Sequence, residues 1–152
     1  MIIFNNFCQE PPYIVLKDKY EESLQANQQN IEAISISSYC SKNHEVNSRF
    51  VNLKFVNEKE FIFFSNYNSP KSFEFKKHNQ IACLIYWNSI NLQIRMKAHI
   101  KKTSKEFNQK YFSSRDTKKN ALAISSNQSA IINSYEDVKK NYEYSYENEN
   151  LN

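Results

Sequence analysis

The chain has 152 residues, 40% of them hydrophobic and 14% aromatic, with a formal net charge of +4. That length suits one domain with a real core, and that aromatic content excludes a disordered chain. The charge is too small and too scattered to point to nucleic acid, and no run approaches the roughly 18 apolar residues of a membrane span.

After Pro11 and Pro12, Leu16, Tyr20 and Leu24 recur at helical spacing and predict an amphipathic helix, so that residues 1–30 read as an arm and a helix. In IEAISISSYC, Ile34 and Ile36 alternate with serines, which predicts a strand. A polar turn, SKNHE, leads to a second strand, VNSRFVNLKFV. The tight turn NEK then precedes a third, EFIFFSN, completing an antiparallel meander. Ser69 is placed as the N-cap and Pro70 as the first residue of a short helix, followed by the buried strand IACLIYW. The clearest alternation is in LQIRMKAHIKK, where Leu92, Ile94, Met96, Ala98 and Ile100 face one way. From Thr103 the period becomes helical, in SKEFNQKYFSSR, in TKKNALAISSN and in a last segment whose residues 141–152 are expected to fray. Residues 1–152 thus read as one α+β domain, mainly β, whose antiparallel strands are expected to close into a small barrel with flanking helices.

The sequence contains no glycine. Turns that need positive φ therefore fall to Asn and Asp, and a glycine-rich phosphate loop is excluded. A bound phosphate must be held by side chains or helix N-termini. Cys8, Cys40 and Cys83 form no CxxC pair, and His44, His78 and His99 lack zinc-ligand spacing. The thiols read as reduced, no metal is expected, and the start MIIFNNFCQEPP lacks the pattern of a signal peptide. A cytoplasmic protein is the expectation.

Four local signals carry chemistry. Arg49 and Lys54 lie five apart in one strand, so regular alternation sends them to opposite faces, with Arg49 beside Val51, Leu53 and Phe55. Lys71 sits in the first turn of a helix. Gln93 lies on the polar face of a strand. Tyr111, Arg115, Gln128 and Ser129 fall in KYFSSR and SSNQS. Each also has a plain structural reading: an arginine in a strand commonly sits at an edge or pairs with a carboxylate, Lys71 is a solvated helix residue, and Tyr111 is core.

In order, RFVNLK, FFSNYNSPKSFEF, IYWNSINLQIRMKA, KYFSSR and SSNQS resemble the successive motifs of pyridoxamine 5′-phosphate oxidases. The resemblance runs from about Ile31 to Ser129 and implies an FMN-binding split β-barrel. It implies that Arg49, Phe50, Val51, Asn52, Leu53 and Lys54 line the FMN site, with Phe64 and Ser65 beside the flavin. Lys71 and Gln93 match further FMN contacts, and Pro70 replaces an arginine often found there. Gln128 and Ser129 match a pair that reaches FMN across a homodimer interface. Lys54, Tyr111 and Arg115 match the clamp on the phosphate of the B6 substrate, and Lys119 stands where its serine usually falls.

The implied activity is oxidation of pyridoxamine or pyridoxine 5′-phosphate, with hydride passing to the flavin and oxygen reoxidising it. The family continues with a WGG-like turn and an R-x-H-x-R strand. This sequence has no tryptophan after Trp87 and no histidine after His99, so no catalytic residue is assigned. Two alternatives stay open: a related split-barrel flavin oxidoreductase acting on another small molecule, or a non-catalytic homologue that binds FMN or a B6 phosphate. Neither nucleic acid nor a membrane is expected as a partner.

Overall fold

A computed structural model describes residues 1–126 and 129–148. Two compact units divide the chain: Met1–Ser65 with Glu74–Ile100, and Asn66–Phe73 with the described residues from Lys101 onward.

The first unit holds the sheet. Its strands are β1 (Ile3–Asn5), β2 (Ala33–Cys40), β3 (Glu45–Asn57), β4 (Glu60–Phe63), β5 (Gln80–Trp87) and β6 (Leu92–His99), with helix α1 (Pro11–Gln25) ahead of β2. The ladder order is β1-β3-β2-β5-β6, and β4 also pairs with β3. The meander β2-β3-β4 and the β5-β6 hairpin match the alternation in the sequence. β1 does not emerge from that alternation: three residues pair parallel to Phe55, Val56 and Asn57 of β3. Among the described residues no ladder closes this order, so the strands expected to close into a small barrel form an open sheet.

β3 is the strand that both parts of the sheet share. Residues 45–52 pair with β2, while Leu53 to Asn57 pair with β4. The register shifts between Leu53 and Phe55, so Lys54 is the extra residue of a β-bulge. The bulge resets the alternation: Leu53 is buried, and three residues later Val56 is buried too. Regular alternation would have put Phe55 on the face of Leu53. The insertion gives that place to Val56.

Ile34, Leu53, Val56, Ile85 and Trp87 form the core with Leu16 and Tyr20 of α1 and with Ile2. Two polar groups at its edge are paired, whereas the buried Ser23 hydroxyl of α1 has no hydrogen-bond partner. The Trp87 indole donates to the Ile31 carbonyl at 3.0 Å, and the Ile2 N–H donates to the Tyr20 hydroxyl at 2.9 Å. Cys83 lies against this core, and burial pushes its thiol up to about 11, so it stays a protonated spacer at neutral pH.

The opposite face of the sheet is open. Phe50, Ser35, Leu84 and Arg95 form one cross-strand row, and Tyr86 pairs with Gln93 in the next on β5 and β6. Phe50 is 76% exposed and Tyr86 57%.

The second unit contains α3 (Lys105–Ser113), α4 (Thr117–Ser125) and α5 (Tyr135–Asn148); α2 (Pro70–Lys77) contributes residues to both units. Ser104 caps α3 by accepting from the Phe107 N–H, and Asp116 caps α4. No helix among the described residues is long and apolar enough to cross a membrane.

With no glycine in the chain, left-handed positions among the described residues fall on Asn6, Asn27, Asn30, Asn91, His44, Glu58 and Ser129. Asparagine fills the first four, as its tolerance of this region predicts; aspartate fills none. Glu58, with φ 51°, has no such tolerance. Glu58→Gly is expected to raise stability by about 0.5–1 kcal/mol, because the Cβ clash it removes outweighs the added freedom of the unfolded chain. Urea denaturation checks this, and a loss of stability would show the turn to be unstrained.

Candidate functional site

In the first unit, Arg49 lies on the inner face of β3, and its cross-strand partner is Ile36. A charge is tolerated there because α2 brings Glu74 to it. Arg49 Nη2 donates to Glu74 Oε2 at 2.8 Å, and Nη1 donates to the carbonyls of Asn47 at 3.0 Å and Ile36 at 3.4 Å. The Ser38 hydroxyl receives a further bond from Nη1 and itself donates to Glu74 Oε2, while Asn47 Nδ2 donates to Glu74 Oε1 at 2.9 Å. Glu74 is only 7% exposed. Burial pushes its carboxyl up, but the hydrogen bonds from Ser38 and Arg49, the charge of Arg49 and the bond from Asn47 outweigh it and hold the carboxyl below its ordinary 4.5.

The sign of the consequence is fixed. A folded-state pKa below the unfolded one stabilises the protein above the unfolded pKa, and that contribution is lost as pH falls through the folded value. The stability advantage of the native chain over Glu74→Gln should therefore be full above about pH 5.5 and fade below about pH 4.5. Denaturation curves for both proteins across this range test it. An advantage that grew on acidification would contradict the ion pair.

Lys54 answers to another carboxylate. Its Nζ lies 2.7 Å from Glu32, whose other oxygen accepts from the Met1 α-amino group at 2.8 Å. Burial raises the Glu32 carboxyl, but hydrogen bonds from Lys54 and the α-amino group, with their charges, bring it below the ordinary value. The strand thus presents two cations to two separate anions, one from its inner face and one from its bulge. Of the residues between them, Val51 and Leu53 turn inward, whereas Phe50 and Asn52 are exposed.

Phe64 and Ser65 follow β4 and are half-buried, with Phe64 edge-on to Phe55 at 6.3 Å. Gln93 stands on the open face of the sheet, opposite Tyr86.

The second unit gathers another group. Tyr111 and Arg115 lie at the end of α3 and just beyond it, with Lys119 in the first turn of α4. The Arg115 guanidinium sits 5.9 Å from the Tyr111 ring centre and 6.0 Å from that of Phe112, and its Nη2 donates to the Lys119 carbonyl at 3.1 Å. Asp116 accepts from the N–H groups of Lys118 and Lys119, fixing the start of α4. Asn120, fully buried, donates to the Phe112 carbonyl at 2.8 Å and pins the corner. Lys71, in the first turn of α2, is buried at 6% exposure. Ser69, ahead of it, donates its hydroxyl to the Asn66 carbonyl at 2.7 Å. Ser129 is exposed with φ 64°, and Gln128 lies outside the described residues.

Sequence reasoning missed Glu74, Ser38 and Asn47. Two of them carried a signal. Ser38 continues the inward parity of Ile34 and Ile36, and Asn47 is its cross-strand partner, so a polar patch on the core face was there to be read. Nothing local ties Glu74 to an arginine 25 residues earlier.

No family model matches the chain. Single proteins do. A pyridoxine/pyridoxamine 5′-phosphate oxidase from Nostoc is 32% identical over 143 residues, covering 92% of this chain and 66% of the relative. One from Colwellia psychrerythraea is 37% identical over 109 residues, covering 72% of this chain and 50% of the relative. The chain thus spans half to two thirds of the length of these relatives. Among solved structures, PhzG from Burkholderia lata, in complex with tetrahydrophenazine-1-carboxylic acid, superposes with TM-score 0.84 at 19% identity, covering 90% of this chain and 67% of that one. A pyridoxamine 5′-phosphate oxidase-related, FMN-binding protein from Nostoc punctiforme gives 0.65 at 10% identity, covering 86% and 72%. At such identities these two structures establish the split-barrel fold.

Proposed function

We propose that this chain, which belongs to the pyridoxamine 5′-phosphate oxidase family, binds FMN and serves an oxidoreductase acting on a small phosphorylated molecule, with pyridoxamine or pyridoxine 5′-phosphate as the first candidates. The observation that carries this reading is the corner of Tyr111, Arg115 and Lys119. Residues four apart in sequence meet round one turn between two helices, and they are the positions that the resemblance assigns to the substrate phosphate.

The donor set suits anions. Arg49 and Lys71 are the residues proposed to hold the flavin phosphate, and Lys54, Tyr111, Arg115 and Lys119 the residues proposed to hold that of the substrate. A guanidinium offers parallel N–H bonds, which a dianion needs where no glycine loop is available. Phe50, Val51, Asn52, Leu53, Phe64, Ser65, Gln93, Gln128 and Ser129 are proposed to complete the flavin surroundings. FMN, when bound, supplies the acceptance of hydride; the chain binds and orients. A homodimer is part of the proposal, supported by the open sheet face, where Gln93 stands among Phe50, Leu84 and Tyr86. A cytoplasmic location is proposed with it.

A second reading, oxidation of another small molecule, is favoured by the likeness to PhzG, whose bound compound is a tricyclic carboxylic acid rather than a B6 phosphate. A carboxylate is as good a partner for Arg115 as a phosphate. A third, FMN or B6-phosphate binding without turnover, is favoured by Lys119 and Pro70.

The absorption spectrum of the purified protein after dialysis tests the proposal. Flavin bands bleached anaerobically by pyridoxamine 5′-phosphate are expected. Bands that no B6 vitamer bleaches would move the assignment to the second or third reading, and a colourless protein that FMN cannot reconstitute would sink all flavin readings.

A further inference from the structure

Arg49 enters the proposed function as an anchor for the flavin phosphate, yet its guanidinium already holds a carboxylate. We infer that Glu74 sets how much the cofactor's phosphate contributes to binding, because it occupies on Arg49 the place that a phosphate would take. The inference rests on the proposed role of Arg49 and assigns the specificity of that same site.

A carboxylate and a phosphate present the same anionic oxygens to a guanidinium. Glu74 Oε2 takes Nη2 of Arg49 at 2.8 Å. The carboxylate is not held by Arg49 alone. Ser38 donates to one oxygen and Asn47 to the other, the latter at 2.9 Å. Arg49 is equally tethered, through Nη1, to the carbonyls of Asn47 and Ile36 and to Ser38. Neither partner can turn away without breaking several bonds. A phosphate arriving at Arg49 therefore shares it with a fixed anion, and two anions a few ångströms apart repel strongly in a half-buried setting. The neutralised arginine leaves the isoalloxazine and ribityl parts of the flavin to supply more of the affinity. The site should accordingly distinguish FMN from riboflavin less sharply than one whose arginine has no carboxylate partner, with Lys71 the other cation proposed for that phosphate. Removing the charge of Glu74 while keeping its shape converts it into one that demands the phosphate.

Titrating the full chain with FMN and with riboflavin, followed by quenching of flavin fluorescence, tests this. Glu74→Gln and Glu74→Met are neutral and close in volume, so either one that binds riboflavin within about twofold of the native chain is folded and carries the test. FMN affinity should rise about tenfold or more in these variants, and the gain should shrink with added salt. Glu74→Asp, which keeps a carboxylate, should retain the native ratio of FMN to riboflavin affinity. If the native chain binds FMN and that ratio stays put or falls in both neutral variants, the inference is overturned while the flavin reading stands. If neither flavin binds to any of the proteins, the proposed function has failed and the inference falls with it.

Discussion

Trp87→Ala is expected to cost about 3–5 kcal/mol, a large share of the roughly 5–15 kcal/mol that holds a domain folded. Trp87 ends β5 at 1% exposure and is the largest fully buried side chain among the described residues. Three losses add. The indole's apolar area returns to water, a cavity opens beside Tyr20, whose ring centre lies 6.0 Å away, and the Ile31 carbonyl loses its donor at 3.0 Å. That carbonyl lies just before β2, so its bond ties the entry of one strand to the end of another. Trp87→Phe keeps most of the area but not the N–H, and should cost less, about 1–3 kcal/mol for the unsatisfied carbonyl. Urea denaturation of both variants separates packing from hydrogen bonding. Equal losses would mean the indole N–H matters and the ring does not.

Arg49→Ala and Lys54→Ala should differ in kind. Removing Arg49 strands the Glu74 carboxylate in the interior, still held by Ser38 and Asn47, and should cost about 2–4 kcal/mol. It should also weaken FMN retention, since a bare carboxylate then faces the phosphate. Lys54 and Glu32 are more exposed and Glu32 keeps a second cation, so Lys54→Ala should cost about 1 kcal/mol or less. Flavin should be retained in that variant, while the KM for a phosphorylated substrate rises. Denaturation, flavin content after dialysis and steady-state kinetics read the three effects. If both substitutions released flavin equally, the assignment of the two cations to two phosphates would be wrong.

How legible the molecule was depends on how far apart its interacting residues lie. β6 could be read outright, because Leu92, Ile94, Met96 and Ala98 alternate without interruption. β3 was read as a strand, but its bulge was not, since the register shift is set by pairing with β4 and leaves no mark in VNLKF. β1 is too short for any period. The left-handed asparagines follow from a sequence without glycine, whereas Glu58, in the two-residue turn between β3 and β4, was not foreseeable from residue type. At the candidate site, the motif residues could be named from their order in the chain. Their present partners, Glu74 and Glu32, could not, because the contacts span 25 and 22 residues. The plain reading of an arginine in a strand, pairing with a carboxylate, is the one Arg49 follows.

The strand shared by both parts of the sheet has a consequence for how the molecule breathes. Amides near a sheet's edge ordinarily exchange with solvent by local fraying, at a free energy well below that of global unfolding. β3 pairs with β2 through one half and with β4 and β1 through the other. Its middle, around the bulge, cannot open without disturbing two ladders at once. Slow hydrogen exchange should therefore centre on Val51 to Val56, making the segment that carries Lys54 one of the last places in the sheet to yield.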